Sequence, residues 1–285
     1  MSESNNLFGV SQYTTWNWTF EEDVNRYPAA GADTIELCEF KLDSVRYDDQ
    51  LRGLKDSSLA ISSVQSTVHT LFPDSLEPTP VNPTERLECM RNAIRHIAPY
   101  CNPGVPFVVN TGVAPNGNIR QGYELAMEEF LTLAEFAADH GVSIALEPLN
   151  PVLMNTNSFI WTIPEAMTII DQTYHPALGL CLDYWNVWQS PDVAEHILRW
   201  ASRATVVHVS DWRLPRAAAD RLIVGTGAIP LEELIRATFV GGYTGPLTLE
   251  LFSDVSLPDS LWRRDGSEVI QQSKLGLSAV ASRLT

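Results

Sequence analysis

At 285 residues, with 45% hydrophobic and 19% charged residues, the chain has the composition of a soluble globular protein, and no apolar stretch nears the roughly 20 residues a membrane-spanning helix needs. A formal charge of -16 would repel a phosphate backbone, which argues against nucleic acid as a partner. Cys38, Cys89, Cys101 and Cys181 lie far apart with no CxxC pair, which argues against a disulfide frame or thiolate zinc site; with the leaderless start MSESNNLFG, this predicts a cytoplasmic protein.

Strand and helix patterns alternate along the chain at roughly 30 to 40 residues, the mark of βαβ units around a parallel sheet. Strands are predicted at 7–13, 33–39 and 60–69, then at 105–110, 142–147, 178–183, 204–209 and 246–251. On the second strand the inward phase selects Glu36. On the third, Ser63, Gln65, Thr67 and His69 share a face and end in a histidine. The Pro-rich stretch from Phe72 to Pro83 reads either as a lid or as a surface excursion. A clear helix follows in YELAMEEFLTLAEFAADHG, where Tyr123, Met127, Phe130, Ala134 and Ala137 form one stripe and Gly141 supplies the stop. Thr162-Ile163-Pro164-Glu165 has capping-box spacing and opens a helix over 164–173. Segments 258–264 and 267–283 read as closing helices.

The last four strands carry the chemistry. Glu147 ends VSIALEP, Asp183 ends LGLCLDY, His208 lies in TVVHVSD and Glu250 in PLTLELF. Strand alternation puts Val142, Ile144 and Leu146 on one face and Ser143, Ala145 and Glu147 on the other; Gly179, Cys181 and Asp183 oppose three leucines in the same way. Bulky aliphatics pointing out, with small residues and one ligand pointing in, describe a closed barrel whose carboxylates converge at one mouth. Eight strand–helix pairs and the lack of GxGxxG after the first strand favour an α/β fold of the (β/α)8 TIM-barrel type, one domain over 1–285, above an open nucleotide-binding sheet. Successive ligands are 36, 25 and 42 residues apart, one per βα unit. Three carboxylates and an imidazole suit a single divalent ion, Mn²⁺ first, with Mg²⁺ or Co²⁺ as alternatives. Such an ion would polarise a carbonyl and stabilise an enediolate, with Glu147 and Glu250 as proton carriers.

ALEPLN at 145–150, LCLDYWN at 180–186, VVHVSDWR at 206–213, DRLIVGTGAIPL at 220–231 and YTGPLTLELF at 243–252 together resemble the xylose isomerase-like TIM-barrel superfamily of sugar phosphate isomerases and epimerases, over nearly the whole chain. The resemblance implies that Glu147, Asp183, His208 and Glu250 hold the metal, that the two glutamates move the proton, and that Arg213 contacts substrate oxygens. Many sugar epimerases of the superfamily read LDxxH where this chain has Asn186, which can hydrogen-bond but not titrate, a departure that leaves the substrate and the reaction open. The endonuclease IV branch places a cluster histidine where this chain has Leu222, a departure that argues against DNA repair.

Further candidates for substrate contact are His69, Glu36, Asn186 and Trp185; Trp16, Trp18 and Trp212 also follow predicted strands, and Asp211 and Asp220 read as loop-capping residues. His96, His140, His175 and His196 receive no role. The expected function is a metal-dependent isomerase or epimerase of a sugar, ketose or inositol derivative, in a homo-oligomer. The alternatives are a lyase or dehydratase that expels water or an aglycone from a keto-sugar, and a carbohydrate-binding subunit without turnover.

Overall fold

The computed structural model describes residues 7–214 and 219–283. Strands β1 (Phe8–Ser11), β2 (Thr34–Cys38), β3 (Ala60–Thr70), β4 (Pro106–Asn110), β5 (Ser143–Leu146), β6 (Leu178–Asp183), β7 (Ala204–Val209) and β8 (Leu247–Leu249) close into a barrel. Every neighbouring pair is parallel, including β8 with β1. Each predicted strand is present, and β6 and β7 coincide with their predicted bounds.

Helices α1 (Phe20–Ala30), α2 (Tyr47–Lys55), α3 (Pro83–Ile97), α4 (Ile119–Asp139), α5 (Ile163–Thr173), α6 (Tyr184–Val187), α7 (Val193–Trp200), α8 (Leu231–Val240) and α9 (Gly266–Ala281) follow the strands. None of the described helices is long and apolar enough to cross a membrane. Local chemistry sets where they begin. Thr19 with Glu22 and Thr162 with Glu165 each form a complete capping box, satisfying first-turn N–H groups that have no partner inside the helix. On α4 the buried stripe is Gly122, Ala126, Phe130, Leu133, Ala134 and Ala137, so the predicted stripe holds in its second half, while Tyr123 and Met127 are only half-buried.

Strand alternation sorts the interior into two layers. Ile35, Leu37, Val64, Ile144, Leu180, Val207 and Leu249 join the large outer core against the helices. Val108, Ala145, Cys181 and Val206 form a separate small cluster. They come from β4 to β7, and three of them lie two residues before Glu147, Asp183 and His208, directly along the same strand face. The small side chains therefore form the bed on which the polar groups rest.

Two loop features complete the mouth. Gly112 has φ +73, and a β-carbon there would lie 2.0 Å from the Phe72 carbonyl oxygen, so only glycine lets the Pro-rich stretch after β3 lie against the β4 loop. Arg86 of α3 is fully buried and donates to the carbonyls of Thr70, Glu77 and Pro80, tying the far side of that stretch to the barrel.

Candidate metal centre and cavity

Glu147, Asp183, His208 and Glu250 each offer a donor atom, and all four atoms lie within 4.8 Å of one another. Asp183 and His208 are register partners on β6 and β7; Glu147 and Glu250 stand one residue past β5 and β8. His208 Nε2 lies 2.8 Å from Glu36 Oε2. That leaves Nδ1 facing the acids, 3.5 Å from Glu250 Oε2 and 3.8 Å from Glu147 Oε1. A carboxylate on the far nitrogen of a histidine is the usual way to fix the tautomer and aim of a metal-binding imidazole.

Neutral amides hold the carboxylates in place. Asn186 Nδ2 donates to both Glu147 Oε1 and Asp183 Oδ2, at 3.0 Å each, while its Oδ1 accepts from the Asn150 backbone. Asn110 Nδ2 donates to Glu147 Oε2 at 3.2 Å. Gln65 Nε2 donates to Glu250 Oε1 at 2.8 Å and to Glu36 Oε1 at 3.1 Å. Arg221 joins Asp183 and Glu250, each at 2.9 Å, with its guanidinium 4.8 Å from the ring centroids of both Trp185 and Phe252.

The electrostatics of this cluster are those of a site built for more positive charge. Four buried carboxyls, Glu36, Glu147, Asp183 and Glu250, meet two cationic groups, His208 and Arg221. Burial, joined by the nearby carboxylates, pushes Glu250 up to about 8 and raises Asp183, against the pull of His208 and Arg221. For His208 burial opposes the charge, but Glu250 and Glu36 outweigh it and hold the imidazole well above its ordinary value. For Glu36 burial is outweighed by His208, and the carboxyl is lowered. The donor set and its excess negative charge both fit a divalent cation.

Two residues of the centre, Glu147 and Glu250, line a cavity of ≈ 540 Å³. Gln65, Asn110, Glu147, Asn186, Arg221 and Glu250 line it and are all at least nine-tenths buried. Trp185 lines it too, and among the described residues its buried Nε1 has no hydrogen-bond partner, nor has Arg221 Nε. His69 stands on the wall with Nδ1 3.0 Å from Glu77 Oε1, and Glu77 is held in turn by Arg86. Burial would lower His69, but Glu77 outweighs it and raises the pKa. Asp74, Leu76 and Glu77 of the Pro-rich stretch also line the cavity.

Two expected substrate contacts stand elsewhere. Glu36 is fully buried and does not line the cavity: strand phase showed that it faces the lumen but not how deep, and it lies behind His208. Arg213 is also off the cavity, paired with Asp220 at 3.1 Å and Asp259 at 3.6 Å. Arg221 reaches the site instead, because Asp211 and Leu222 form an antiparallel bridge that folds the loop back toward β8. Arg221 lies within the motif DRLIVGTGAIPL, whose local pattern gives no sign that this arginine faces the site. Trp18 packs under Arg26 and Trp212 against Trp188, both away from the cavity. Asp211 caps its loop, accepting from the N–H groups of Trp212, Gly227 and Ile229.

Comparison with known proteins follows the same outline. A family model described as a xylose isomerase-like TIM barrel matches residues 25–273. A ketose 3-epimerase of Arthrobacter globiformis is 29% identical over 139 residues, 46% of this chain and 44% of that protein. An L-ribulose 3-epimerase of Methylomonas sp. (strain DH-1) is 27% identical over 162 residues, 53% and 52% of the two. The chain thus spans about half the length of the curated relatives it matches. Among solved structures, protein SMc04130 of Sinorhizobium meliloti 1021 superposes with a TM-score of 0.83 at 22% identity, covering 97% of this chain and 98% of that one. The IOLI protein, solved with a zinc atom bound, gives 0.79 at 19% identity, covering 98% and 99%. At these identities the superpositions speak to the fold alone.

Proposed function

Because the chain belongs to the xylose isomerase-like TIM barrel family, we propose that it is a divalent-metal-dependent isomerase or epimerase acting on a sugar, ketose or inositol derivative. The observation that carries this reading is the convergence of Glu147, Asp183, His208 and Glu250 within 4.8 Å of one another, with Glu147 and Glu250 lining a ligand-sized cavity and carboxylates in excess of cations. The epimerase names of the two curated relatives support the same reaction class.

The four residues would hold the ion, Mn²⁺ first on donor type. When bound, such an ion polarises a carbonyl oxygen and so acidifies the adjacent C–H. The protein's own groups supply the rest. Glu147 and Glu250 follow strands β5 and β8, which are not neighbours in the barrel, so a carbon between them meets a carboxyl from each side. Removal of the proton by one glutamate and return by the other inverts the centre; return at the neighbouring carbon interconverts aldose and ketose. Asn110 and Asn186 keep Glu147 aimed, and Gln65 and Arg221 do the same for Glu250. Trp185 Nε1 and Arg221 Nε, buried and free of described partners, are donors suited to substrate hydroxyls.

Incubation with a panel of ketoses and inososes in D₂O tests the reading. We expect deuterium at one carbon beside the carbonyl, lost on chelation and lost in Glu147→Gln and Glu250→Gln variants that stay folded. Exchange that survives chelator or either substitution refutes the assignment. Asn186 favours a second reading, since its amide lies between two carboxylates where many relatives of this type carry a titratable histidine. Elimination from a keto-sugar would show as loss of water or aglycone in the product mass, isomerisation as no change; metal binding with neither would leave a binding subunit.

A further inference from the structure

The cavity changes character with depth. Its floor is buried and polar, whereas its outer wall is aromatic: Tyr13, Trp16, Phe40, Phe252 and Trp262, all lining residues. These rings come from three separate loops and form one continuous group. Trp16 is 5.5 Å from Trp262 and 5.0 Å from Phe40 between centroids; Tyr13 is 5.2 Å from Phe40 and 4.6 Å from Phe252. Trp16 is 45% exposed and Phe40 38% exposed. Across the opening, Leu76, Leu149 and Leu153 make the other wall apolar as well, with Leu76 81% exposed. Large apolar side chains left in contact with water around a polar pocket mark a place where a ligand covers them.

Size points the same way. A volume of ≈ 540 Å³ is in the range that encloses drug-sized ligands, more than a single bare ketose fills. The outer acids Asp74 and Glu77 also line the opening, and among the described lining residues Arg221 is the only lysine or arginine, already joined to Asp183 and Glu250. Among the described residues, an anionic group at the outer end would meet Asp74, Glu77 and apolar rings, and the imidazole on that wall, His69, is already paired with Glu77.

We propose that the substrate is an extended, uncharged keto-sugar, whose reacting carbonyl end sits on the polar floor while a second ring with an apolar face stacks on Trp16, Phe40 and Trp262. The proposal rests on the isomerase or epimerase reading of the floor and adds what the far end of the substrate carries. The outer ring is either a second sugar, which presents C–H groups on one face, or an aryl group; the two share the flat apolar surface that aromatic side chains bind.

Solvent-deuterium exchange with four ketoses on the metal-loaded full chain tests this: fructose, isomaltulose with its glucosyl ring on the terminal hydroxyl, the benzyl ether at the same hydroxyl, and the terminal phosphate ester. We expect kcat/KM at least about tenfold higher for one or both ring-bearing substrates than for fructose, the order of the gain from one or two stacked rings. The better of the two names the outer ring. Trp16→Ala, a change at an exposed residue, should bring that ratio down toward one. Quenching of tryptophan fluorescence by the ring-bearing ketoses, at lower concentration than by fructose, reads binding without turnover. Exchange on fructose with no gain from either ring, or best turnover of the phosphate ester, overturns the proposal and leaves the reaction class intact. Binding of the ring-bearing ligands with no exchange on any ketose overturns the reaction class and leaves the outer subsite. A Trp16→Ala change in oligomeric state with the ratio unaltered would make the wall an interface and also overturn the proposal.

Discussion

Glu250 allows the reading of the metal centre to be tested without turnover. Burial, with the nearby acids, lifts its carboxyl to about 8, whereas in the unfolded chain it returns to the ordinary glutamate range. Between about pH 4.5 and 8 the native protein therefore holds a proton that the unfolded chain has lost, and metal-free stability must fall as pH rises through that window. Asp183 and His208, both raised, act with the same sign. Glu36 is lowered, so its contribution changes only below the ordinary glutamate range and does not cancel the slope. At about 1.4 kcal/mol per pH unit, Glu250 alone sets a ceiling near 5 kcal/mol over the window. With an unfolding entropy of about 2.1 cal/mol/K per residue, that is a fall in Tm of up to about 8 °C.

The assay is differential scanning calorimetry with chelator and with Mn²⁺, in steps from about pH 5 to 8. Ion binding displaces the proton, so the stabilisation by Mn²⁺, about 2.7 kcal/mol at a hundredfold excess over Kd, should grow with pH. Glu250→Gln keeps the shape and cannot ionise; its metal-free slope should be markedly shallower and its response to Mn²⁺ small. The net charge of -16 adds a background slope common to both proteins, so the difference between them is the measured quantity. A flat or rising chelated wild-type profile, or a Gln variant with the wild-type slope, would refute the argument.

Asn186→Ala removes the amide bridging Glu147 and Asp183 and should weaken Mn²⁺ binding about 10- to 100-fold by calorimetric titration. Arg221→Gln should depress exchange sharply, because it unpairs two buried carboxylates of the centre, while Arg213→Gln, at a residue that does not line the cavity, stays within about twofold. Arg86→Ala leaves three carbonyls without their donor and Glu77 with His69 alone, and should cost about 3 to 5 kcal/mol in urea unfolding. Gly112→Ala meets both a left-handed φ and the Phe72 carbonyl, and a loss of at least about 1 to 3 kcal/mol is expected in the same assay.

The barrel was legible because two periodicities coincide in it. Alternation along 142–147 or 178–183 separates leucines from small residues, and that division reflects the real boundary between helix-facing and lumen-facing layers. The ligands share the phase of the small residues, which is why four acids and bases scattered over a hundred residues could be grouped at all. Phase carries no depth, however: Glu36 and Gln65 both point inward, yet one lies behind His208 and the other lines the cavity. Loops carry no phase. Arg213 and Arg221 are alike in sequence, and what separates them is a two-residue bridge and an aspartate cap that no local pattern announces. The aromatic wall was hidden for the same reason, its five rings lying near residues 13, 40 and 252–262.

The manner in which Asp211 is tied down decides where a distant guanidinium stands. Its carboxylate grips Gly227 and Ile229 on the returning limb, its backbone pairs with Leu222, and Gly227 has no room for a β-carbon, which would come within 2.3 Å of the Trp212 carbonyl oxygen. The hairpin is thus fastened at its root. Arg221 is the residue next to that root, so the same fastening that holds Asp211 sets where the guanidinium meets Asp183 and Glu250.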